Sequence, residues 1–560
     1  MSRNLPGNHF IGYNVVNLQS GNFTTDTEYV TATSHLLHAG LLRYPGGNLA
    51  DWWNWETGWC VKTTTASGCP RCKNPCARKS TVRTYTLEEF QIVVKASSAL
   101  PVLMINMLTL TLDSQLKYLA HAQALGLLGE GTYVELGGEF YWGKYSGRWS
   151  TGKEYANEAN IWAKAIKANY PSVRIMVVAA HSTANQAPTD RGYTWNGFVY
   201  STVDTSVVDG VTLHPYLHLD NPTGGAAPLQ PGVPPRGKDD GPTGWYNSTK
   251  VQQDNVNFLR SDKGIEAVLG VPFFVATSAV GNMATHQPLP SDLRMIITET
   301  NMMERAGPIK LSWLHGLFMA STFFNLLSIR QVDGILLHVL LNGYGWGALY
   351  ETDSDFHGPF GGIPPSGSMD TALGKVGCLV PACATITTKS YMPTAVGVAL
   401  GALAGSMHGA TEAMQIDFNG TTNPSRVGAL PSGLNGTMVY PSLFGFIFSS
   451  AEQQEQNATV MNFNSISLEY KWEVGLSPCS SYTHWTTPDV IHGRPLAWVS
   501  TTANVNVTTV QCVNDGDDVG GDGGGGGGGS VTLPPYSITT VRFQSMLVEM
   551  EDEGGGGGGG

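Results

Sequence analysis

Up to about residue 405, continuous apolar runs alternate with stretches of helical period. The runs are FIGYNVV (10–16), GLLRYP (40–45), PVLMINML (101–108), TYVEL (132–136), VRIMVVAA (173–180), DGVTLHPY (209–216), RMIITET (294–300) and DGILLHVL (333–340). Apolar on both faces, they predict parallel strands buried between layers. Between them, 112–127, 153–171, 315–329 and 390–407 repeat apolar residues at three- and four-residue spacing and predict helices. The second opens its pattern cleanly and stops at Pro171, and the first has Asp113 in its cap region. Eight strands alternating with helices predict an α/β fold of the (β/α)8 TIM-barrel type, with an open doubly wound sheet as the alternative.

After about residue 410 the pattern changes to short alternating segments, such as EAMQIDF, GTMVYPSLFGFIF and YSITTVRF, separated by Asn, Gly, Ser and Pro turns. These predict a C-terminal antiparallel β-sandwich. The expected organisation is a barrel over 1–407, a sandwich over 408–550 and a glycine-rich tail over 551–560. Two barrel loops are long, a cysteine-rich one at 58–83 and a Pro/Gly-rich one at 221–243. The glycine runs at 523–529 and 554–560 are low complexity and carry no part of the reading.

Composition adds a cellular setting. Charged residues are only 14% of the chain, against about 25% in typical soluble domains. The net charge of -12, without a long Lys/Arg block, argues against nucleic acid and anionic membranes as partners. Six N-x-[ST] sequons begin at Asn22, Asn247, Asn419, Asn435, Asn457 and Asn506, so N-linked glycans would hydrate the surface in place of charge. Eight cysteines fall in three groups: Cys60, Cys69, Cys72 and Cys76; Cys378 and Cys383; Cys479 and Cys512. The lone CxxC lacks the second half of a zinc motif, so disulfides are expected, with Cys378–Cys383 and Cys479–Cys512 the simplest pairs. The first four allow three connectivities. These features predict a secreted glycoprotein, although residues 1–18 hold no signal peptide. The run AVGVALGALAG (395–405) is too short to span a bilayer.

In a barrel, residues just beyond the C-terminal strand ends converge on one site. There the sequence places RYPGGN (43–48) and WWNWETGW (52–59) after strand two, and Glu139 of YVELGGEFYW after strand four. His214 and Tyr216 follow strand six, Glu299 in ITETN follows strand seven, and Tyr344 and Trp346 follow strand eight. Two carboxylates from strands four and seven suit acetal hydrolysis, one acid protonating the leaving oxygen while the other attacks the sugar carbon. Burial and the neighbouring charge would raise the acid's pKa. Trp52, Trp53, Trp55 and Trp59 are either sugar-stacking rings, Trp53 or Trp55 first among them, or loop core packed beside the cysteines; His181 reads as structural, and Glu135 is assigned no chemistry. No metal cluster at helical spacing and no cofactor motif stands in a convincing context.

In this order, RYPGGN with its Trp-rich extension, ELGGEFY and ITETN resemble the clan-A retaining glycoside hydrolases, nearest to α-L-arabinofuranosidases and the heparanase/β-glucuronidase group. The ending LPPYSITTVRF is similar to their C-terminal domain. The resemblance implies Glu139 as acid/base and Glu299 as nucleophile. It further implies Arg43 as support for the nucleophile, Asn48 as a sugar ligand, and His214 or Tyr216 as pocket residues bonded to the nucleophile. The family has Asn immediately before its acid/base, bonded to the sugar 2-hydroxyl; here that position is Gly138. Two readings follow. One is a secreted retaining hydrolase of a polysaccharide or glycoconjugate. The other is a catalytically impaired, glycosidase-like extracellular glycoprotein that binds carbohydrate or self-assembles.

Overall fold

In a computed structural model of the chain, the structure describes residues 2–5, 9–15, 27–56, 59–60, 86–181, 191–217, 265–266, 268–270, 272–273, 289–302, 312–341, 347–352, 390–418, 425–429, 437–450, 456–465, 467–471, 479–487, 505–512 and 530–543. Eight parallel strands close a barrel: β1 (Ile11–Asn14), β2 (Leu41–Tyr44), β3 (Leu100–Met104), β4 (Tyr133–Glu135), β5 (Arg174–Val178), β6 (Gly210–Leu213), β7 (Arg294–Met302) and β8 (Val332–Leu337). Each pairs with the next, and Ile335 of β8 pairs with Ile11 of β1 to complete the ring. The doubly wound alternative is thereby excluded.

The continuous apolar runs follow from burial on both sides. Leu41, Val102, Tyr133, Met176, Ile296 and Leu336 point inward and fill the barrel floor. Their neighbours Leu42, Leu103, Val134, Val177, Ile297 and Ile335 point outward into the core shared with the helices. The same alternation places Arg43 and Glu135, two residues above Leu41 and Tyr133, on the barrel axis. A charged pair thus stands on an apolar floor.

The surrounding helices include α1 (Leu87–Ser97), α2 (Leu112–Ala124), α3 (Gly152–Asn169), α4 (Arg191–Thr202), α5 (Trp313–Leu327) and α6 (Ala395–Met407). The apolar pattern does not predict α1, but its capping box is legible: Thr86 accepts from the Glu89 N–H and Glu89 accepts from the Thr86 N–H. Thr111, rather than the expected Asp113, caps α2; Asp113 lies in the first turn and pairs with Lys117. The expected helix over 390–407 begins only at Ala395. Ser390–Pro393 forms a strand against Leu349–Thr352, and Thr394 caps the helix through the Gly397 N–H. Pro393 cannot donate inside a helix, which explains the later start.

The C-terminal unit is built on a seven-stranded antiparallel sheet: Ser2–Asn4, β9 (Glu412–Gln415), β10 (Leu443–Ser449), β11 (Gln456–Asn462), β14 (Ser537–Phe543), β12 (Cys479–Thr486) and β13 (Asn506–Gln511), in spatial order. The first strand of the chain therefore joins this sheet, pairing with β9. One face, with Leu443, Ile447, Val460 and Val541, packs on Val531 and Leu533 of a separate two-stranded ribbon. The opposite face presents Phe444, Phe446 and Phe448 to Phe324 of α5, with the Phe324 and Phe446 rings 5.0 Å apart. Alternation along β10 thus serves two cores at once. Among the described residues, no helix is long and apolar enough to cross a membrane.

Candidate active site

Arg43 lies at the centre of the barrel mouth. Its Nε donates to Glu135 Oε2 at 2.6 Å and its Nη1 to Glu299 Oε1 at 2.6 Å, with all three side chains buried. Strict alternation would turn Glu299 away from Thr298, which faces inward. The β7–β8 register shifts between Ile297 and Thr300, and such an irregularity re-aims a side chain. Glu299 then receives Asn14 Nδ2 at 3.1 Å on Oε1 and the Tyr216 hydroxyl at 2.6 Å on Oε2. Both oxygens are held, so the carboxylate has one orientation.

Glu139 is placed by the two glycines before it. Gly137 has φ +86°, and a Cβ there would lie 2.0 Å from the Phe140 ring. Glu139 itself has φ 45°, in the left-handed region, a strained conformation of the kind found at functional sites. Between them, the Gly138 N–H donates to Asp51 Oδ1 at 3.0 Å, and Tyr145 donates to Asp51 Oδ2 at 2.9 Å. Buried Asp51 thus anchors the turn that aims the glutamate. A Cβ at Gly138 would meet Met104 Cε at 2.7 Å and both Asp51 oxygens at 3.8 Å. Met104 occupies the room an asparagine would need. The clashing atom is the methyl end of a flexible side chain, so Gly138→Asn is expected to displace Met104 and to destabilise the fold by only about 1 kcal/mol. Adding Met104→Ala should relieve part of that loss, read as a favourable coupling in a double-mutant cycle of urea unfolding. Simple additivity of the two losses would contradict this packing account.

Glu139 Oε2 accepts from Trp142 Nε1 at 3.0 Å, and Oε1 accepts from the Tyr141 hydroxyl at 3.3 Å. Asn48 lies beside this carboxylate and favours its charged form. His214 joins the two acids: its Nδ1 is 3.3 Å from Glu139 Oε1 and 3.8 Å from Glu299 Oε2. The Thr298 hydroxyl donates to Glu135 Oε1 at 2.9 Å, so it accepts from His214 Nε2, also at 2.9 Å. With Nδ1 facing carboxylates, both ring nitrogens are donors, and the ring is an imidazolium. One oxygen each of Glu139 and Glu299 and one His214 nitrogen all lie within 4.8 Å of one another. Two carboxylates and a histidine can also form a cation-binding shape; here Arg43 and His214 bring positive charge onto the same oxygens.

The electrostatics follow from these contacts. Burial alone would lower the His214 pKa, but the Glu299 charge and the bonds to Glu135 and Glu139 raise it to about 10. Burial would raise Glu139, yet the hydrogen bond and charge of His214 outweigh it and hold it well below the usual carboxylate range. Glu299 is likewise lowered, against burial, by His214, His338 and Arg43. This differs from the raised acid expected from two facing carboxylates alone. A histidine between them has reversed the sign, and the site's mobile proton rests on His214.

The other expected site residues divide. Arg43, Asn48, His214 and Tyr216 gather around the two glutamates. Trp53 does not offer a sugar-stacking face: it is 5% exposed and packs edge-on against Tyr44 and Tyr118. Trp55 stacks on His121 at 5.8 Å and donates to the Ser114 carbonyl, so its ring lies along α2. Trp346 lies outside the described residues, as do Cys69, Cys72, Cys76, Cys378, Cys383, Asn22, Asn247, Asn419 and Asn435. Cys60 sits in a two-residue ribbon opposite Trp53. Asn457 stands half-buried in β11 and Asn506 opens β13. Glu135 and Asp51 belong to the constellation although sequence reasoning gave them no role; Trp142, one of the aromatics of YVELGGEFYW that read as the wall of a sugar site, joins them. The inward phase of Glu135 on β4 was a usable signal; Asp51 depends on contacts across the barrel mouth. His181 accompanies them, 2.9 Å from the Tyr141 hydroxyl.

No protein-family model matches the chain, and no curated protein matches it. Among solved structures, the α-L-arabinofuranosidase of Thermotoga maritima superposes with a TM-score of 0.55 at 17% identity, over 95% of this chain and 96% of that one. The fold is that of the α-L-arabinofuranosidases. AbfB, a family 51 α-L-arabinofuranosidase from Bifidobacterium longum, gives a TM-score of 0.58 at 12% identity, covering 97% of each chain. A 4-O-α-L-rhamnosyl-β-D-glucuronidase from Fusarium oxysporum gives 0.50 at 12% identity, again over 97% of each. Barrel and sheet unit are both included in such coverage.

Proposed function

We propose that the protein is a secreted retaining glycoside hydrolase that cleaves a polysaccharide or glycoconjugate by double displacement between Glu299 and Glu139, with no cofactor. The observation that carries this is the separation of the two carboxylates, with oxygens within 4.8 Å of each other across His214. Retaining enzymes hold their carboxyl groups about 5–5.5 Å apart, inverting ones roughly 6.5–9.5 Å. The shared fold with arabinofuranosidases and a glucuronidase adds support for a carbohydrate substrate. Six sequons, the low charge fraction and a disulfide-bonded Cys512 support secretion.

In the first step an oxygen of Glu299 bonds to the anomeric carbon while the bond to the leaving oxygen breaks. Glu139 delivers the proton to that oxygen, having received it from His214 Nδ1. In the second step water loses a proton to Glu139, attacks the same carbon and frees Glu299, and the proton returns to His214. Arg43 and Tyr216 stabilise the departing carboxylate, favouring breakdown of the glycosyl ester.

A pH dependence follows. The working enzyme needs one proton on the His214–Glu139 pair, and His214 keeps it up to about pH 10. In His214→Gln the charge that depresses Glu139 is gone, so burial and the Glu299 charge raise the acid instead. The alkaline limb of kcat/KM is expected to fall by more than about one pH unit, because Glu139 alone then holds the proton. An unmoved limb would contradict the shared proton.

A second reading is favoured by one observation, the Met104 methyl where a polar side chain at 138 would begin. On that reading the protein binds carbohydrate, or assembles outside the cell, without turnover. The deciding experiment is a panel of aryl furanosides and pyranosides tested with wild type, Glu139→Gln and Glu299→Gln. Hydrolysis by wild type alone supports the enzyme; no hydrolysis of any member supports the binding protein.

A further inference from the structure

Trp142 combines two properties found in no other described tryptophan. It is 42% exposed, and its indole N–H donates to Glu139 Oε2 at 3.0 Å. Its backbone is fixed by a hydrogen bond to the Glu139 carbonyl at 3.0 Å. Its ring leans on Tyr141, centroids 5.4 Å apart, and meets the edge of His181 at 6.2 Å. An exposed indole normally costs hydration free energy, and here it is held rigid beside a reactive carboxylate. Flat rings of this kind take the C–H face of a sugar or an aromatic group.

The position decides which part of a substrate would lie there. Glu299, with Arg43, Asn14 and Tyr216 on its oxygens, occupies the attacking side. Glu139 faces the leaving oxygen, and Trp142 holds the Glu139 oxygen not bonded by Tyr141 and His214. A ring attached to the leaving oxygen therefore passes over or beside the indole. We propose that Trp142 is the platform of a leaving-group subsite, taking a flat sugar or aryl ring while its N–H orients the acid. This rests on the hydrolase reading of the site. Trp53, from the Trp-rich stretch, is packed inside and Trp55 lies half-buried along α2 against His121, which leaves this role to Trp142.

Calorimetric binding to Glu299→Gln, which cannot turn over, tests the platform. The ligands are 4-nitrophenyl and methyl glycosides of the same glycone, in furanose and pyranose series. Adding Trp142→Ala is expected to weaken the nitrophenyl ligands roughly 3- to 10-fold, the scale of one ring contact, and the methyl ligands less than about 2-fold. Trp142→Phe, which keeps a ring without the N–H, should restore most of the nitrophenyl affinity. In an otherwise wild-type chain, the same Phe variant should slow phenyl glycosides more than 4-nitrophenyl ones, since the better leaving group needs less help from the acid. Equal weakening of nitrophenyl and methyl ligands, or no weakening, overturns the platform. If wild type hydrolyses nothing but the nitrophenyl preference still depends on Trp142, the platform stands and the hydrolase reading falls. Absence of binding by every ligand removes both.

Discussion

Glu299→Gln is expected to lower kcat/KM by roughly 10⁴-fold or more on every glycoside the protein cleaves, the scale on which covalent enzymes lose rate with their nucleophile. The amide keeps the shape and the place at the barrel mouth but supplies no negative oxygen for the anomeric carbon. Three donors now converge on it: Arg43 Nη1, Asn14 Nδ2 and the Tyr216 hydroxyl. An amide offers one acceptor oxygen and two N–H groups, so at least one of these contacts is lost or becomes donor against donor. Folding should survive, because the barrel floor beneath is apolar and untouched. Steady-state kinetics on the best substrate checks this. A loss of less than about 10-fold, with circular dichroism unchanged, would remove Glu299 from the chemistry.

Arg43→Met is expected to produce the largest loss of stability, about 3–5 kcal/mol at neutral pH, as when one partner of a buried ion pair is removed. Methionine fills much of the stem, but Glu135 and Glu299 are left buried without their guanidinium. The sign of the pH dependence follows from the wild type. Both acids are depressed by Arg43 among other groups, Glu135 from an ordinary 4.5. Their contribution to stability is present above that value and is lost as pH falls through the lower folded value. In the variant, burial without Arg43 pushes them up instead. The destabilisation is then complete at neutral pH and shrinks below about pH 4.5, where the acids can be neutral in both states. Urea unfolding at pH 7 and pH 4 measures this. An equal loss at both pH values would mean that the cost is packing alone. Arg43→Lys should not rescue, because one ammonium cannot replace a planar fork bridging two carboxylates.

Much of the barrel is legible in the sequence because its strands are buried on both faces and so read as unbroken apolar runs. Strand four is the instructive case. Tyr133, Val134 and Glu135 alternate in, out and in, so phase alone places Glu135 on the axis beside Arg43. Glu299 breaks that rule, and the register shift that turns it inward leaves no mark in a run such as RMIITET. The Glu139–Glu299 pairing was legible from strand order, since both stand at the same barrel end. The sign of their electrostatics was not. It depends on His214 reaching between strands, and on Thr298 fixing which atoms of that ring donate. The tryptophans show a similar limit. Trp53, Trp55 and Trp142 are alike in composition and nearness to motifs, yet tertiary packing buries the first, lays the second along a helix and exposes the third. The double glycine reads at first as a turn. Gly137 is required by a left-handed backbone and the Phe140 ring, whereas Gly138 is matched to Met104 and pinned by Asp51.

The central claim is that Glu299 forms a covalent bond to the sugar while Glu139 serves as acid and base. Intact-mass spectrometry with peptide mapping tests it directly, after incubation with furanose- and pyranose-configured epoxide analogues that trap retaining nucleophiles. The account predicts one adduct per chain, on the peptide carrying Glu299, absent from Glu299→Gln. A folded wild-type protein that takes no adduct from any analogue, or takes it on another residue, would contradict it.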